Sequence, residues 1–513
     1  MTQTPSSAAN PAANQTGRPT FAPAPRASWL ALAVLLAGFF MALVDATIVN
    51  VALPSIRTSL GASESTLSWI ISGYALTFGL ALIPSGRLGD RFGHKWIFII
   101  GIVLFTAASA YCGIAANDFD IIIGRVLQGL AGGIFVPAVG SFIQLLFQGK
   151  ERGKAFAIMG SVIGISSAIG QISGGLLIQA FGEAEGWRWV FFVNLPIGIL
   201  TAIFAIRLLP AGDAHSDRSN RMDWFGVLLL SAGLVAILVP LIQGQQDGWH
   251  AWTWWTMAAG VAGLVLFAIW QVVFTKRGGS ALVPPRLFHH LSFTFGTVLA
   301  LVYFAGFTSI FFTLSLLWQG GFGHTALESG LLTLPFAVGT AIFSSQSSKW
   351  AAKMGRSVLV YGAALVTLGL GVTWFLLANV GATDLNNWIL LPGIFIAGAG
   401  NGFFLAPNVQ FIVATVDNSE AGAASGVVQT AQRVGSAIGV AIIGSILFGT
   451  LNFGQGKPTA EVIANTFKDG AANAMLMSAI LAAASFLLVF ALPKRIQLHG
   501  VSSAAPTAAP AAE

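Results

Sequence analysis

Charge is scarce in this chain. Only 9% of its 513 residues are Asp, Glu, Lys or Arg, against roughly a quarter in an ordinary soluble domain. With 55% hydrophobic residues, a soluble fold is excluded and a polytopic membrane chain is expected. The single cysteine, Cys112 in an apolar run, excludes an intramolecular disulfide and a Cys-rich metal site; it reads as a small core residue. The seven histidines lie in loops or at the ends of apolar runs. Neither HExxH nor a GxxxxGK phosphate loop occurs, so zinc hydrolysis and ATP-driven work are unsupported, no cofactor is expected, and energy has to come from elsewhere, such as an ion gradient. The net charge of +6 is spread in threes over separate loops rather than gathered on one face, which argues against nucleic acid.

What is abundant is long hydrophobic sequence. Apolar runs of spanning length fall at about 28–54, 67–86, 96–116, 120–147, 155–182, 188–210, 223–243, 252–275, 292–319, 327–348, 357–380, 387–415, 421–451 and 471–492. This predicts an all-α polytopic protein of about fourteen helices, with both termini on one side of the bilayer. Lys and Arg accumulate in cytoplasmic loops. With the termini inside, nineteen basic residues fall on inner segments, three (Arg57, Lys457, Lys468) on outer ones, and Arg125, Arg188 and Arg433 within or at the edges of spans. Both termini are therefore expected in the cytoplasm, and the inner loop Thr415 to Glu420 departs from the pattern by carrying acids and no base. The Pro/Ala/Ser-rich ends, 1–27 and 493–513, read as disordered cytoplasmic tails; the first lacks the apolar core and cleavage site of a signal peptide.

The first run, Trp29 to Pro54, holds one ionisable group, Asp45, and the other eighteen acids lie at or beyond the ends of apolar runs. A carboxylate inside the hydrocarbon costs several kcal/mol in rough terms, and such groups face a bundle interior or a water-filled path. Asp45 reads as the coupling residue of a transporter, the bland alternative being an acid that pins a helix pair. Arg125 lies about 7 Å below the outer end of helix four, a depth compatible with contact to Asp45 directly or through water; alternatively it snorkels to the headgroups. A guanidinium beside Asp45 favours the charged carboxylate while desolvation favours the neutral acid, so small rearrangements tip the balance. Arg433 lies near mid-membrane with no acid at similar depth in the second half, and its partner is a substrate anion, a carbonyl or Asp45 itself. Gln128, Asn408 and Arg433 are candidates for a substrate cavity, although buried amides are as often interhelical hydrogen bonds.

A weak repeat divides the chain. Ser85 to Lys95 matches Ser347 to Ser357 at an offset of 262, pairing Gly93 with Gly355, and SAIG recurs at Ser167 and Ser436. This predicts two six-helix bundles, 28–210 and 292–492, with an inserted helix pair and linkers at 211–291, and a substrate site between the bundles near mid-membrane. The Trp cluster at Trp249 to Trp255 reads as an interfacial anchor.

The loop GRLGDRFGHK, Gly86 to Lys95, resembles the signature loop of the major facilitator superfamily. The resemblance implies a conformational latch formed by Gly86, Asp90, Arg91, Gly93 and Lys95; the second-half copy has Ala352 in place of the acid. VDATIVNVALP (Val44 to Pro54), GRVLQGLAGG (Gly124 to Gly133) and WRWVFFVNLPIG (Trp187 to Gly198) narrow the resemblance to the fourteen-helix drug:proton antiporters, with Asp45 at the first-helix acid and Arg125 at the helix-four arginine. Helix five, Gly160 to Leu177, is similar to the antiporter motif at Gly164, Gly170, Gly174 and Gly175, with Gln171 in place of the expected proline.

The expected function is proton-coupled export of amphipathic small organic molecules across the plasma membrane, bacterial inner membrane included, with Asp45 carrying the proton and Arg125 modulating it. Alternatives are a dedicated exporter of one metabolite, antibiotic or siderophore, or a proton-coupled importer. The partners are the lipid bilayer, a small-molecule substrate and protons; a periplasmic adaptor is left open. An enzyme needs a nucleophile and base or metal ligands, and a receptor needs a folded loop domain; the chain offers neither.

Overall fold

The computed structural model describes residues 24–210, 223–247, 249–279, 281–413, 421–451 and 458–493. The acidic loop within 415–420 and nearly all of both expected tails lie outside the described residues. All regular structure among the described residues is helical: α1 (Arg26–Leu60), α2 (Glu64–Phe92), α3 (His94–Gly113), α4 (Asp118–Leu146), α5 (Gly149–Phe181), α6 (Gly186–Phe192), α7 (Asn194–Leu208), α8 (Trp224–Asp247), α9 (Ala251–Lys276), α10 (Leu291–Leu316), α11 (Ala326–Met354), α12 (Ser357–Asn379), α13 (Asn387–Val413), α14 (Ala421–Thr450) and α15 (Ala460–Val489), with short turns at Pro285–His289 and Leu317–Gly321. Among the described residues, 13 stretches are long and apolar enough to cross a membrane. The fourteenth expected span is α5, 33 residues long, whose apolar part Ile169–Phe181 is shorter.

Two boundaries differ from the sequence reading, each for a local reason. The expected helix over 188–210 is broken at Val193 into α6 and α7, because Pro196 in the first turn of α7 has no N–H for the Phe192 carbonyl. The second run does not turn at Gly86: α2 continues to Phe92, and the reversal comes at Gly93, whose φ of 88° suits a residue without Cβ. Gly355 repeats this between α11 and α12 with φ 58°.

Successive crossings alternate, so the Gly93 and Gly355 turns share one face, the basic end. At the opposite end, side-chain caps start the helices: Ser63 accepts from Thr66 N, Asn117 from Asp120 N, and Thr325 forms a capping box with Glu328. The packing repeats. Helix α1 packs on α5 and α7, α4 on α2 and α3, and α7 on α3; in the second set α10 packs on α14 and α15, α13 on α11 and α12, and α15 on α12. Across the seam between the sets, α2 meets α14 and α5 meets α11, again a symmetric pair. Lys95 and Arg356 extend the symmetry to charge. Lys95 Nζ donates to the Ile206 and Leu209 carbonyls at the end of α7 (2.8 and 2.7 Å), and Arg356 Nη1 to the Phe490 and Leu492 carbonyls after α15 (2.9 and 2.5 Å). Each cation sits on the negative end of a helix of its own set.

Helices α8 and α9 pack on each other, and α8 leans on α2 and α14. Buried Asp223 fixes the pair: it accepts from Gly226 N (2.8 Å), Trp270 Nε1 (2.8 Å) and Gln271 Nε2 (2.6 Å), while Gln271 Oε1 accepts from Val283 N (3.1 Å). Trp254 and Trp255 are exposed near the α8–α9 turn, as an interfacial anchor requires.

Candidate functional site

Four helices of the first set converge on Asp45, which is 0% exposed. Arg125 Nη1 of α4 donates to Asp45 Oδ2 at 2.6 Å. Gln128 Nε2, one turn along α4, donates to Oδ1 at 2.7 Å, and Asn194 Nδ2, the first residue of α7, donates to the same oxygen at 2.9 Å. Ser109 of α3 closes the cluster: its Oγ accepts from Gln128 Nε2 (3.1 Å) and Asn194 Nδ2 (2.9 Å) and donates to the Phe191 carbonyl (2.9 Å). The α6–α7 break at Val193 delivers Asn194 into this cluster.

Arg125 is 1% exposed, so it does not snorkel. Its Nε donates to the Ile70 carbonyl (3.0 Å), its Nη1 also to Gln128 Oε1 (2.6 Å), and its guanidinium lies 4.0 Å from the centroid of the Tyr74 ring. Tyr74 in turn donates to the Ala42 carbonyl, one turn before Asp45 (3.2 Å). An ion pair this dry survives only when the remaining lone pairs and protons are satisfied, and removing one partner costs about 3–5 kcal/mol. Here the guanidinium, two amides and a hydroxyl supply that satisfaction. Losing any one donor leaves a buried carboxylate oxygen with one hydrogen bond fewer.

The cavity candidates separate. Gln128 is buried within the Asp45 cluster. Asn408 is 1% exposed, and neither its Nδ2 nor its Oδ1 has a partner among the described residues. Arg433 does not meet Asp45; its guanidinium lies over the Phe78 ring at 4.2 Å. Of the loop residues, Gly93 makes the turn and Lys95 ties α3 to α7 within one set, whereas the side-chain surroundings of Gly86, Asp90, Arg91 and Gly164 lie outside the described residues. Three α5 glycines sit at close helix contacts. Gly170 and Gly174 face α1 at Thr47 and Ile48, and a Cβ on Gly175 would stand 2.5 Å from Leu327 Cα of α11, across the seam.

That seam carries polar contacts away from the basic end. Pro54 has no N–H for the Asn50 carbonyl one turn back, and Ser315 Oγ of α10 donates to that carbonyl at 2.7 Å. Gln319 Nε2, in a short π-helical turn, donates to the next carbonyl, Val51 (3.1 Å), and to Ser315 Oγ (3.0 Å). In this structure the two sets are thus joined at the end opposite the basic loops.

Sequence reasoning missed Asn194, Ser109 and Tyr74. Asn194 carried a signal, an amide two residues before a proline inside an apolar run; Ser109 and Tyr74 carried none. The Arg356 counterpart of Lys95 was hidden because it is displaced by one position from the 262-residue offset.

Known proteins agree with this architecture. The chain matches the Major Facilitator Superfamily over residues 35–221, 214–440 and 296–512, and it belongs to that superfamily; it is a multi-pass membrane transporter and not an enzyme. It is 38% identical over 449 residues to a probable actinorhodin transporter of Streptomyces coelicolor, covering 87% of this chain and 75% of the relative. It is 33% identical over 428 residues to the puromycin resistance protein pur8 of Streptomyces alboniger, covering 83% of each. These relatives place it with the drug-efflux transporters of the superfamily. The fold is shared with an auto-inhibited POT family peptide transporter at a TM-score of 0.62 and 15% identity, over 91% of this chain and 96% of that one.

Proposed function

We propose that the chain is a proton-coupled exporter of amphipathic small organic molecules in the plasma membrane, with both termini in the cytoplasm. The observation that carries this reading is the Asp45 cluster: one buried carboxylate, held by three donors from two other helices, in the helix that also packs on α10 and α11 across the seam. Protonating Asp45 removes the charge that Arg125, Gln128 and Asn194 hold. Helix α1 is then less tied to α4 and α7 and freer to move against α10 and α11, so proton occupancy biases the seam. Relatives named for export of or resistance to one antibiotic and relatives named for multidrug resistance both support export, of one compound or of many. The 19 to 3 distribution of basic residues supports the orientation.

The test is Asp45→Asn, which keeps shape and removes the titrating group. In inverted vesicles with an imposed pH gradient and a protonophore control, uphill transport fails while substrate–substrate exchange persists. Uphill transport by the folded variant refutes the assignment. Loss of exchange together with loss of folding identifies Asp45 as a structural pin instead.

A further inference from the structure

We infer that Arg433, in the α2–α14 seam, is the binding contact for an organic anion, so that the substrate class is an amphipathic aromatic compound bearing a carboxylate, sulfonate or phenolate. The inference deepens the proposed export function and rests on it for the direction of transport and for the proton role of Asp45.

Arg433 stands about 4 Å along the axis from the middle of α14 (Ala421–Thr450), beyond the reach of its side chain to either headgroup layer. It lies where two symmetric sets meet, the place where transporters of this architecture hold substrate. The local sequence makes room for it: Gly79 of α2 has no Cβ, and one placed there would stand 2.8 Å from Arg433 Cβ. The Thr430 hydroxyl donates to the Gly79 carbonyl at 2.8 Å and fixes the two backbones at this level. The guanidinium then covers the Phe78 ring, which supplies an aromatic face but no counter-charge. Arg433 makes no ion pair or hydrogen bond among the described residues, and it keeps partial exposure while Thr430 and Val434 beside it are buried.

The charge balance of the interior points the same way. Asp45 and Arg125 neutralise each other, and the other acids lie at or beyond the ends of the apolar runs. What remains at mid-membrane is one positive charge with five possible donors in a planar fork, suited to bidentate oxyanions. A cationic substrate meets repulsion there; an anion supplies the missing partner. The site is also joined to the proton site. Tyr74 and Phe78 are one turn apart on α2, 5.7 Å between ring centroids, with Arg125 over the first and Arg433 over the second. Substrate and proton therefore act on the same turn of α2.

The test uses a matched pair of dyes, 8-anilinonaphthalene-1-sulfonate and neutral N-phenyl-1-naphthylamine, which differ by the sulfonate. Equilibrium binding is measured on the purified full chain in nanodiscs, with empty nanodiscs subtracted, for wild type, Arg433→Gln and Arg433→Lys. The sulfonate binds wild type at least tenfold more tightly than it binds Arg433→Gln; Arg433→Lys falls between; the neutral dye binds all three alike. Equal sulfonate affinity in wild type and a folded Arg433→Gln overturns the inference, as does a wild type that prefers ethidium to the sulfonate. If Arg433→Gln does not fold, Arg433→Lys and the salt dependence of sulfonate binding decide, and binding unaffected by both overturns it. Gradient-driven transport of the bound dye is a separate arm. Its failure with intact Arg433-dependent binding refutes proton-driven export and leaves the anion site standing.

Discussion

Replacing Ser315 with Ala tests how the two helix sets are held together at the end away from the basic loops. The Asn50 carbonyl is left without its helical donor by Pro54 and takes a hydrogen bond from Ser315 Oγ at 2.7 Å. Deleting that hydroxyl strands a buried carbonyl, at a cost of about 1–3 kcal/mol. The cost falls only on the state in which the sets touch here, so the population of that state drops relative to its alternative by roughly five- to a hundredfold, at about 1.4 kcal/mol per factor of ten. Spin labels on cysteines at Thr58 and His324, both exposed at this end on opposite sets, report the change as a gain in the longer-distance population; Cys112 is first replaced by Ala. The double-mutant cycle sharpens the test. Pro54→Ala restores an N–H for Asn50, so Ser315→Ala in that background shifts the populations by less than about threefold, because the carbonyl is no longer orphaned. An equal shift in both backgrounds, or none with Pro54 intact, refutes the reasoning.

Gly175→Leu places a side chain where a Cβ alone would stand 2.5 Å from Leu327 Cα; the same spin-label pair should show the joined state lost, transport should stop, and the protein should still insert. Lys95→Met removes a cation from the end of α7, and the contact lies within one set. Its effect is therefore on stability, about 1 kcal/mol or less in rough terms, seen as a lower melting temperature with an unchanged spin-label distance distribution; a shifted distribution would show that Lys95 acts across the seam.

The sequence by itself determined the membrane class, the number of long apolar segments and the singular position of Asp45, because the bilayer imposes a length and a polarity that composition records directly. The turn glycines Gly93 and Gly355 were legible for the same kind of local reason: only a residue without Cβ takes their positive φ readily. Arg125 was legible as a cation at a depth compatible with Asp45, but the choice between a direct bond, a bridging water and snorkelling was not, since two depths in separate helices fix no azimuth. Only the tertiary structure brought Asn194 to the carboxylate, by breaking a helix next to Pro196 and turning the amide inward. Only it set Ser315 against the carbonyl that Pro54 leaves free, and stood Arg433 over Phe78 with no ion pair or hydrogen bond among the described residues. A hydropathy pattern says which residues leave water; which polar groups then meet depends on how the helices rotate and tilt when they pack, and single-sequence periodicity carries no record of that.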